Sequence, residues 1–239
     1  MKIPRFSSLQ IAVHIGGWAP MAVITYNFFT HNLTANPIQA IEQQTGIQAL
    51  TFLLLSLACT PLSSVFGWHM LIPRRKALGM YGFMYAFLHV TTFFWLDYGF
   101  DLWAIWRDVG TKWYIIIGLT AFLLLVPVAF TSFKYWMKRM GKDWKRLHNL
   151  VYIISPLVVI HFLLSIKGDI FNLRGNISEP VLYGLIATVL LVLRVSRVKK
   201  TLIGLRTRLV LLFRRTPRQP PSIEQPQTTE PPLKATGGQ

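Results

Sequence analysis

Long apolar runs, each almost free of charge, alternate with short polar segments along the chain. Six of these runs have the roughly 18–22 residues that a helix needs to cross a hydrocarbon core. They cover residues 9–29, 46–67, 77–97, 112–132, 147–166 and 180–197. Few apolar residues are left over for a soluble core. The pattern therefore predicts an all-α integral membrane protein, a six-transmembrane-helix bundle filling residues 1–197, with no second folded domain. Beyond it, basic and apolar groups mix over 198–215 (VKKTLIGLRTRLVLLFRR) at loosely helical spacing, which predicts a helix lying on an anionic membrane surface. Residues 216–239 are rich in Pro and Gln with almost nothing to bury, the composition of a disordered tail.

Charge adds orientation. The net charge is +16, a balance that would ordinarily raise the question of nucleic acid. Its placement answers that question. With the N-terminus inside, the inner segments 1–8, 68–76, 133–146 and the tail from 194 hold all 25 Lys and Arg except Arg107, Lys112, Lys167 and Arg174. Most of the nine acids lie outside, at Glu42, Asp97, Asp101, Asp108, Asp169 and Glu179. This is the positive-inside pattern. It puts both termini in the cytoplasm and calls for a lipid bilayer, not for nucleic acid. The first span follows Lys2 and Arg5 as a signal peptide would, but no small-x-small cleavage site follows, and Pro20, Tyr26 and Phe28-Phe29 fit a retained anchor. Cys59, the one cysteine, lies in an apolar run, so neither an intrachain disulfide nor a thiolate metal site is available; it reads as a packing residue.

The loops are short. The inner loop Lys134–Arg146 carries Trp136 and Trp144, and the outer loop 98–111 carries Asp101, Trp103, Trp106 and Asp108. Tryptophans at such positions read mainly as interfacial anchors; a docking role for the outer Trp and Asp residues is the alternative. There is no G-x-G-x-x-G after a strand pattern and no Walker A sequence. No solenoid-type repeat is evident.

Chemistry is concentrated in three histidines inside or at the end of apolar runs: His89, His148 and His161. An ionisable group in a bilayer is expensive and marks a functional site by default, and neutral imidazole is a ready ligand for haem iron. At about 1.5 Å per residue, His89 lies about 20 Å from the inner start of its span near Lys76, and His161 about 22 Å from the start near Arg146. The matched depth suits two axial ligands on opposite faces of one haem. The competing reading is two buried histidines bonded to backbone or to hydroxyls such as Thr91, Thr92 or Ser165. His148 lies about 20 Å inward of His161 on the same helix, a spacing for a second, inner haem. On an ideal helix the two side chains diverge by roughly 140°, although Pro156 between them can kink the helix. A headgroup-level histidine remains the alternative for His148. His14, with Trp18 one turn on, reads as structural; His31 and His69 read as ordinary loop residues.

Several segments carry a family resemblance: TGIQAL (45–50), TPL (60–62), PRRKALG (73–79), FLHVTTF (87–93), AFTS (129–132), GKDWKRLHNLVYI (141–153) and IHFLLSIK (160–167). In order and spacing, from about residue 5 to 200, they resemble the MsrQ (formerly YedZ) family of the ferric-reductase-like transmembrane superfamily. The resemblance implies six helices in the bacterial inner membrane, haem b (one or two) and also FMN. It implies electrons drawn from the quinone pool or a cytoplasmic flavin reductase and passed to MsrP, a periplasmic molybdopterin enzyme that reduces methionine sulfoxide in oxidised proteins. It maps haem ligation onto His89, His148 and His161. The wider superfamily often carries two histidines on each of two helices; this chain lacks the inner one on span three. The methionine sulfoxide chemistry would lie in MsrP. Two alternatives stand beside this reading. One is a cytochrome b subunit of another quinol-linked or metalloreductase system; the other is a transporter or assembly factor.

Overall fold

The computed structural model describes residues 7–166 and 177–213, and every regular element among them is helical. The expected outer residues Lys167, Asp169 and Arg174 and the expected disordered tail lie outside the described residues.

α1 (Ser8–Phe29) opens on Ser7, whose hydroxyl accepts from the Gln10 N–H. α2 (Pro37–Pro61) opens with Asn36 as its cap and Pro37 in its first turn, and runs on through a π-helical turn, Leu62–Phe66. It starts earlier than the apolar run 46–67 because its first turns are polar but well capped. A 3-10 turn, His69–Arg74, leads into α3 (Arg75–Thr91), which also ends in a π-helical turn, Thr92–Asp97. The outer loop is not irregular: Asp101 accepts from the Trp103 and Ala104 N–H groups and caps a short amphipathic helix, α4 (Leu102–Val109). α5 (Trp113–Phe130) follows. The basic inner loop is helical too, as α6 (Lys134–Met140) and α7 (Lys142–His148), hinged at Gly141, whose φ of +54° suits a residue without a Cβ. α8 (Val151–Ser165), α9 (Ser178–Val192) and α10 (Ser196–Phe213) complete the chain.

Cross-helix contacts give the direction of each rod. Arg74 Nη2 donates to Ser7 Oγ, His14 pairs with Tyr81, and Tyr85 reaches Gly17 and Met21, so α1 and α3 run in parallel. α2 runs against α3, with Gly46 on His89 at one end and Ser56 donating to the Arg75 carbonyl at the other. α5 and α8 are likewise antiparallel, through Gly118 on His161 and, inward, Trp144 on the Thr131 carbonyl. α9 runs with α2, through Thr51–Tyr183 and Arg194 on the Leu57 carbonyl.

α2 is the central rod. Leu50, Leu54 and Leu57 pack on α8 and α9, Phe52 and Cys59 on α3, and Leu53 on α5 and α8. A helix apolar on every side is one buried on every side. Cys59 is a packing residue there, buried, with its thiol donating to the Leu55 carbonyl. Small residues permit the closest approach: a Cβ at Gly82 would come within 3.1 Å of the Leu53 backbone nitrogen. Tyr85, fully buried, accepts from the Met21 N–H and donates to the Gly17 carbonyl, two groups that a plain helix would pair with each other. Its hydroxyl thus splices α1 onto α3.

The outside of the bundle is apolar, with Ile15, Phe29, Leu123 and Leu185 each more than half exposed. Such a surface suits lipid rather than water. Among the described residues, four helical stretches are long and apolar enough to cross a membrane: Pro37–Phe66, His69–Asp97, Trp113–Phe130 and Lys142–Ser165. A fifth is a pair, Ser178–Val192 and Ser196–Arg208, bent by 81°. α1 has the length, but its His, Gly-Gly, Pro and Asn residues dilute its apolar content.

Candidate functional site

The structure brings His89 and His161 together. Their ring centroids lie 6.1 Å apart with the planes 79° to one another. His89 Nδ1 lies 2.9 Å from the Glu42 carbonyl of α2, and His161 Nδ1 lies 2.8 Å from the Tyr114 carbonyl of α5. A carbonyl only accepts, so each Nδ1 carries the proton and each neutral ring has an unprotonated Nε2. Neither Nε2 has a protein partner among the described residues. The hydroxyls weighed as alternative partners are occupied elsewhere: Thr91, Thr92 and Ser165 each donate to a carbonyl of their own helix.

Each imidazole also rests on a glycine one turn beyond the carbonyl that it bonds. A Cβ at Gly46 would lie 3.1 Å from His89 Nδ1, and a Cβ at Gly118 would lie 2.6 Å from His161 Nδ1 and Cε1. The two arrangements are copies. Histidine and carbonyl are 47 residues apart in both. The shift that carries His89 onto His161 also carries Gly46, Ala49, Leu53 and Thr60 onto Gly118, Ala121, Leu125 and Ser132. Those residues recur at spacings of one helical face. The hairpin α2–α3 and the pair α5–α8 thus present one imidazole each to a shared point.

That point fits a metal held by two imidazoles. Two metal–nitrogen bonds of about 2 Å, plus the depth of each ring, put the centroids a little over about 6 Å apart. Metal-bound histidines regularly give their other N–H to a carbonyl, which fixes the ring and raises its basicity. Two axial imidazoles with both N–H groups so tied are a donor set for haem iron.

His148 is placed differently. It ends α7, and the tightened helical turn at Asn149–Leu150 joins α7 to α8 within the one stretch Lys142–Ser165. The angle between His148 and His161 therefore departs from that of an ideal helix before Pro156 is reached. Its Nδ1 lies 3.0 Å from the Trp144 carbonyl, its Nε2 is 3.4 Å from Ser132 Oγ, and its ring lies 4.0 Å from the Trp144 ring. Trp144, read from the sequence mainly as an interfacial anchor, is half-buried and donates from Nε1 to the Thr131 carbonyl at the end of α5. Thr131 and Ser132 follow the last turn of α5, so Trp144 closes that helix and seats His148 against it. No second histidine meets His148 among the described residues. His69 pairs with Ser63 Oγ.

The reading of the sequence passed over Gly46, Gly118 and the Glu42 and Tyr114 carbonyls. Their signal was present as the equal separation of glycine from histidine in the two halves. At the end of the bundle between α3 and α5, Asp101 and Asp108 have structural tasks: Asp101 caps α4, and Asp108 accepts from Tyr98 at 2.6 Å and from Lys112. Trp103, Trp106 and Trp113 are each more than 70% exposed beside them.

Residues 45–160 match the family described as ferric reductase like transmembrane component. Relatives carrying the name protein-methionine-sulfoxide reductase heme-binding subunit MsrQ are similar over most of their length. That of Xanthomonas campestris pv. campestris (strain 8004) is 41% identical, over 78% of this chain and 85% of its own. That of Herminiimonas arsenicoxydans is 37% identical, over 80% and 86%. That of Rhodospirillum rubrum is 39% identical, over 77% and 86%.

Proposed function

The chain belongs to the MsrQ family, and from that membership we propose that it is a haem-binding electron-transfer subunit of a methionine sulfoxide reductase system. The observation that carries the reading is the pair His89 and His161, 6.1 Å between centroids, with both Nδ1 atoms tied to backbone carbonyls. These two imidazoles would hold the iron of an outer haem b. Haem b, when bound, supplies a carrier for one electron at a time. The chain's own part is to hold both rings in one tautomer and one orientation, so that ligand geometry changes little between oxidation states. His148 is the ligand on the inner side, for a second haem, with Nδ1 fixed by Trp144 and Nε2 facing Ser132.

Six spans follow if α1 crosses beside α3 and the α9 rod crosses before its bend. The alternating directions of the rods and the basic residues at one end support this count, and they support a reading with both termini in the cytoplasm at a bacterial inner membrane. α10 then lies along the inner surface, consistent with its 81° departure from α9 and with Arg206, which donates to the Val65 carbonyl. Electrons enter from the quinone pool or a cytoplasmic flavin reductase and leave outward to periplasmic MsrP, where methionine sulfoxide is reduced. FMN is the second cofactor of this reading, and we assign no residue to it.

The test is haem stoichiometry by pyridine haemochrome in purified His89→Ala and His161→Ala variants, followed by reconstituted electron delivery to MsrP. Each variant should lose the outer haem. Wild-type haem content and an unchanged reduced Soret band in both would refute the ligand assignment. Reduction of ferric chelates in place of MsrP would refute the partner.

A further inference from the structure

One imidazole faces outward. His14 lies on α1 about 9 Å from the start of that helix at Ser8, at about 1.5 Å per residue. The start is held among the basic residues by Arg74, which donates to Ser7 Oγ. His14 is exposed on the outside of the bundle, between Ile11, Ile15 and Trp18, which are 49%, 65% and 57% exposed. Its Nδ1 lies 2.9 Å from Tyr81 Oη. Tyr81 is fixed in turn: its ring lies on Gly17, where a Cβ would come within 2.3 Å, and meets Trp18 edge-on at 6.3 Å and Phe52 at 5.7 Å. His14 Nε2 has no partner among the described residues. With α1 as a membrane span, a polar ring nitrogen without a protein partner is costly on the lipid-facing side, and a lipid-soluble ligand would satisfy it.

We propose that His14 and Tyr81 form the binding site for the headgroup of a membrane quinone or quinol, entered from the inner leaflet. The site rests on the reading that electrons come from the quinone pool. The pair can present either polarity to the lipid. With the proton on Nδ1, that nitrogen donates to Tyr81 Oη and Nε2 accepts from a quinol hydroxyl. With the proton on Nε2, Nδ1 accepts from the Tyr81 hydroxyl and Nε2 donates to a quinone carbonyl. A quinone is the lipid-soluble species whose polar group changes between acceptor and donor in this way. A phospholipid ester carbonyl accepts only. Tyr81 and His89 share α3 and lie about 12 Å apart along its axis, so a headgroup bound here lies on the approach to the outer histidine pair.

The experiment uses the full-length haem-loaded protein in quinone-free nanodiscs of phosphatidylethanolamine and phosphatidylglycerol. Decylubiquinone is titrated as a mole fraction of the bilayer, and quenching of tryptophan fluorescence is followed; Trp18→Phe isolates the Trp18 share. Saturable quenching is expected for the wild type. Loss of the His14 Nε2 hydrogen bond to the headgroup should raise the half-saturation point about tenfold in His14→Ala. Tyr81→Phe, which removes the partner that orients the His14 ring, should raise it in the same direction, with the haem spectrum unchanged in both. Tyr81→Phe keeps the ring that packs on Gly17, so it decides the matter even where His14→Ala loosens α1. Half-saturation equal to wild type in both variants overturns this site and leaves the quinone pool as donor. Haem reduction by decylubiquinol without any saturable quenching of the wild type does the same. Absence of both quenching and haem reduction overturns the donor reading, and this site with it.

Discussion

Gly118→Ala should cost the protein its outer haem although it replaces no proposed ligand. The added Cβ would stand 2.6 Å from His161 Nδ1 and Cε1. Ordinary carbon contacts begin near about 3.5 Å, so ring and helix must part by about 1 Å. Metal–ligand distances tolerate about 0.2 Å. The ring has little freedom to turn aside, because its Nδ1 is held by the Tyr114 carbonyl at 2.8 Å. Helix propensity runs the other way, since Ala is favoured over Gly in a helix interior by about 1 kcal/mol. Loss of haem in a chain of normal helix content therefore isolates the steric effect. Gly46→Ala is the graded partner: its Cβ would lie 3.1 Å from His89 Nδ1, so a shift of about 0.4 Å relieves it. The assay is haem per chain together with the reduced α-band, with circular dichroism and size-exclusion behaviour as controls for folding. The expected order of haem content is wild type, then Gly46→Ala, then Gly118→Ala. Full haem and an unshifted band in Gly118→Ala would refute the close approach of ring and glycine, and with it the geometry of the pair.

Other expectations follow from separate features. Tyr85→Phe removes the hydroxyl spliced between Met21 N–H and the Gly17 carbonyl; it should destabilise the bundle by about 0.6–1.7 kcal/mol, read as an earlier midpoint in mixed-micelle unfolding, with haem content unchanged. A midpoint equal to wild type would count against the splice. At the end of the bundle between α3 and α5, burial pushes the Tyr98 hydroxyl up to about 12, and its hydrogen bond to Asp108 acts in the same direction. The folded value exceeds the ordinary value near about 10, so the stabilising contribution is complete below about pH 10 and is lost as pH rises through about 12. Tyrosinate absorbance in the wild type minus Tyr98→Phe should titrate late; a midpoint near about 10 would refute the Tyr98–Asp108–Lys112 cluster. Trp144→Phe keeps an aromatic ring beside His148 but removes the donor to the Thr131 carbonyl. It should change the inner haem's spectrum or occupancy and leave the outer one intact; loss of the outer haem would place Trp144's influence wrongly.

By itself, the sequence determined what solvent chemistry dictates. Apolar runs of helical crossing length, and cations gathered between alternate runs, needed no tertiary contact to be legible. Helix depth made His89 and His161 a matched pair, because axial rise is a property of one helix alone. What each imidazole faces was decided by packing. The Glu42 and Tyr114 carbonyls belong to other helices, and a backbone carbonyl has no residue type to mark it. Gly46 and Gly118 became meaningful only when a ring was seen lying on each. The tightened turn at Asn149–Leu150, which takes the angle between His148 and His161 away from that of an ideal helix, arises where α7 docks its Trp144 on the end of α5. His14 shows the division most clearly. The sequence made it a polar residue in an apolar run, and only the packing of α1 along α3 gave it a tyrosine on one nitrogen and an exposed position on the outside of the bundle.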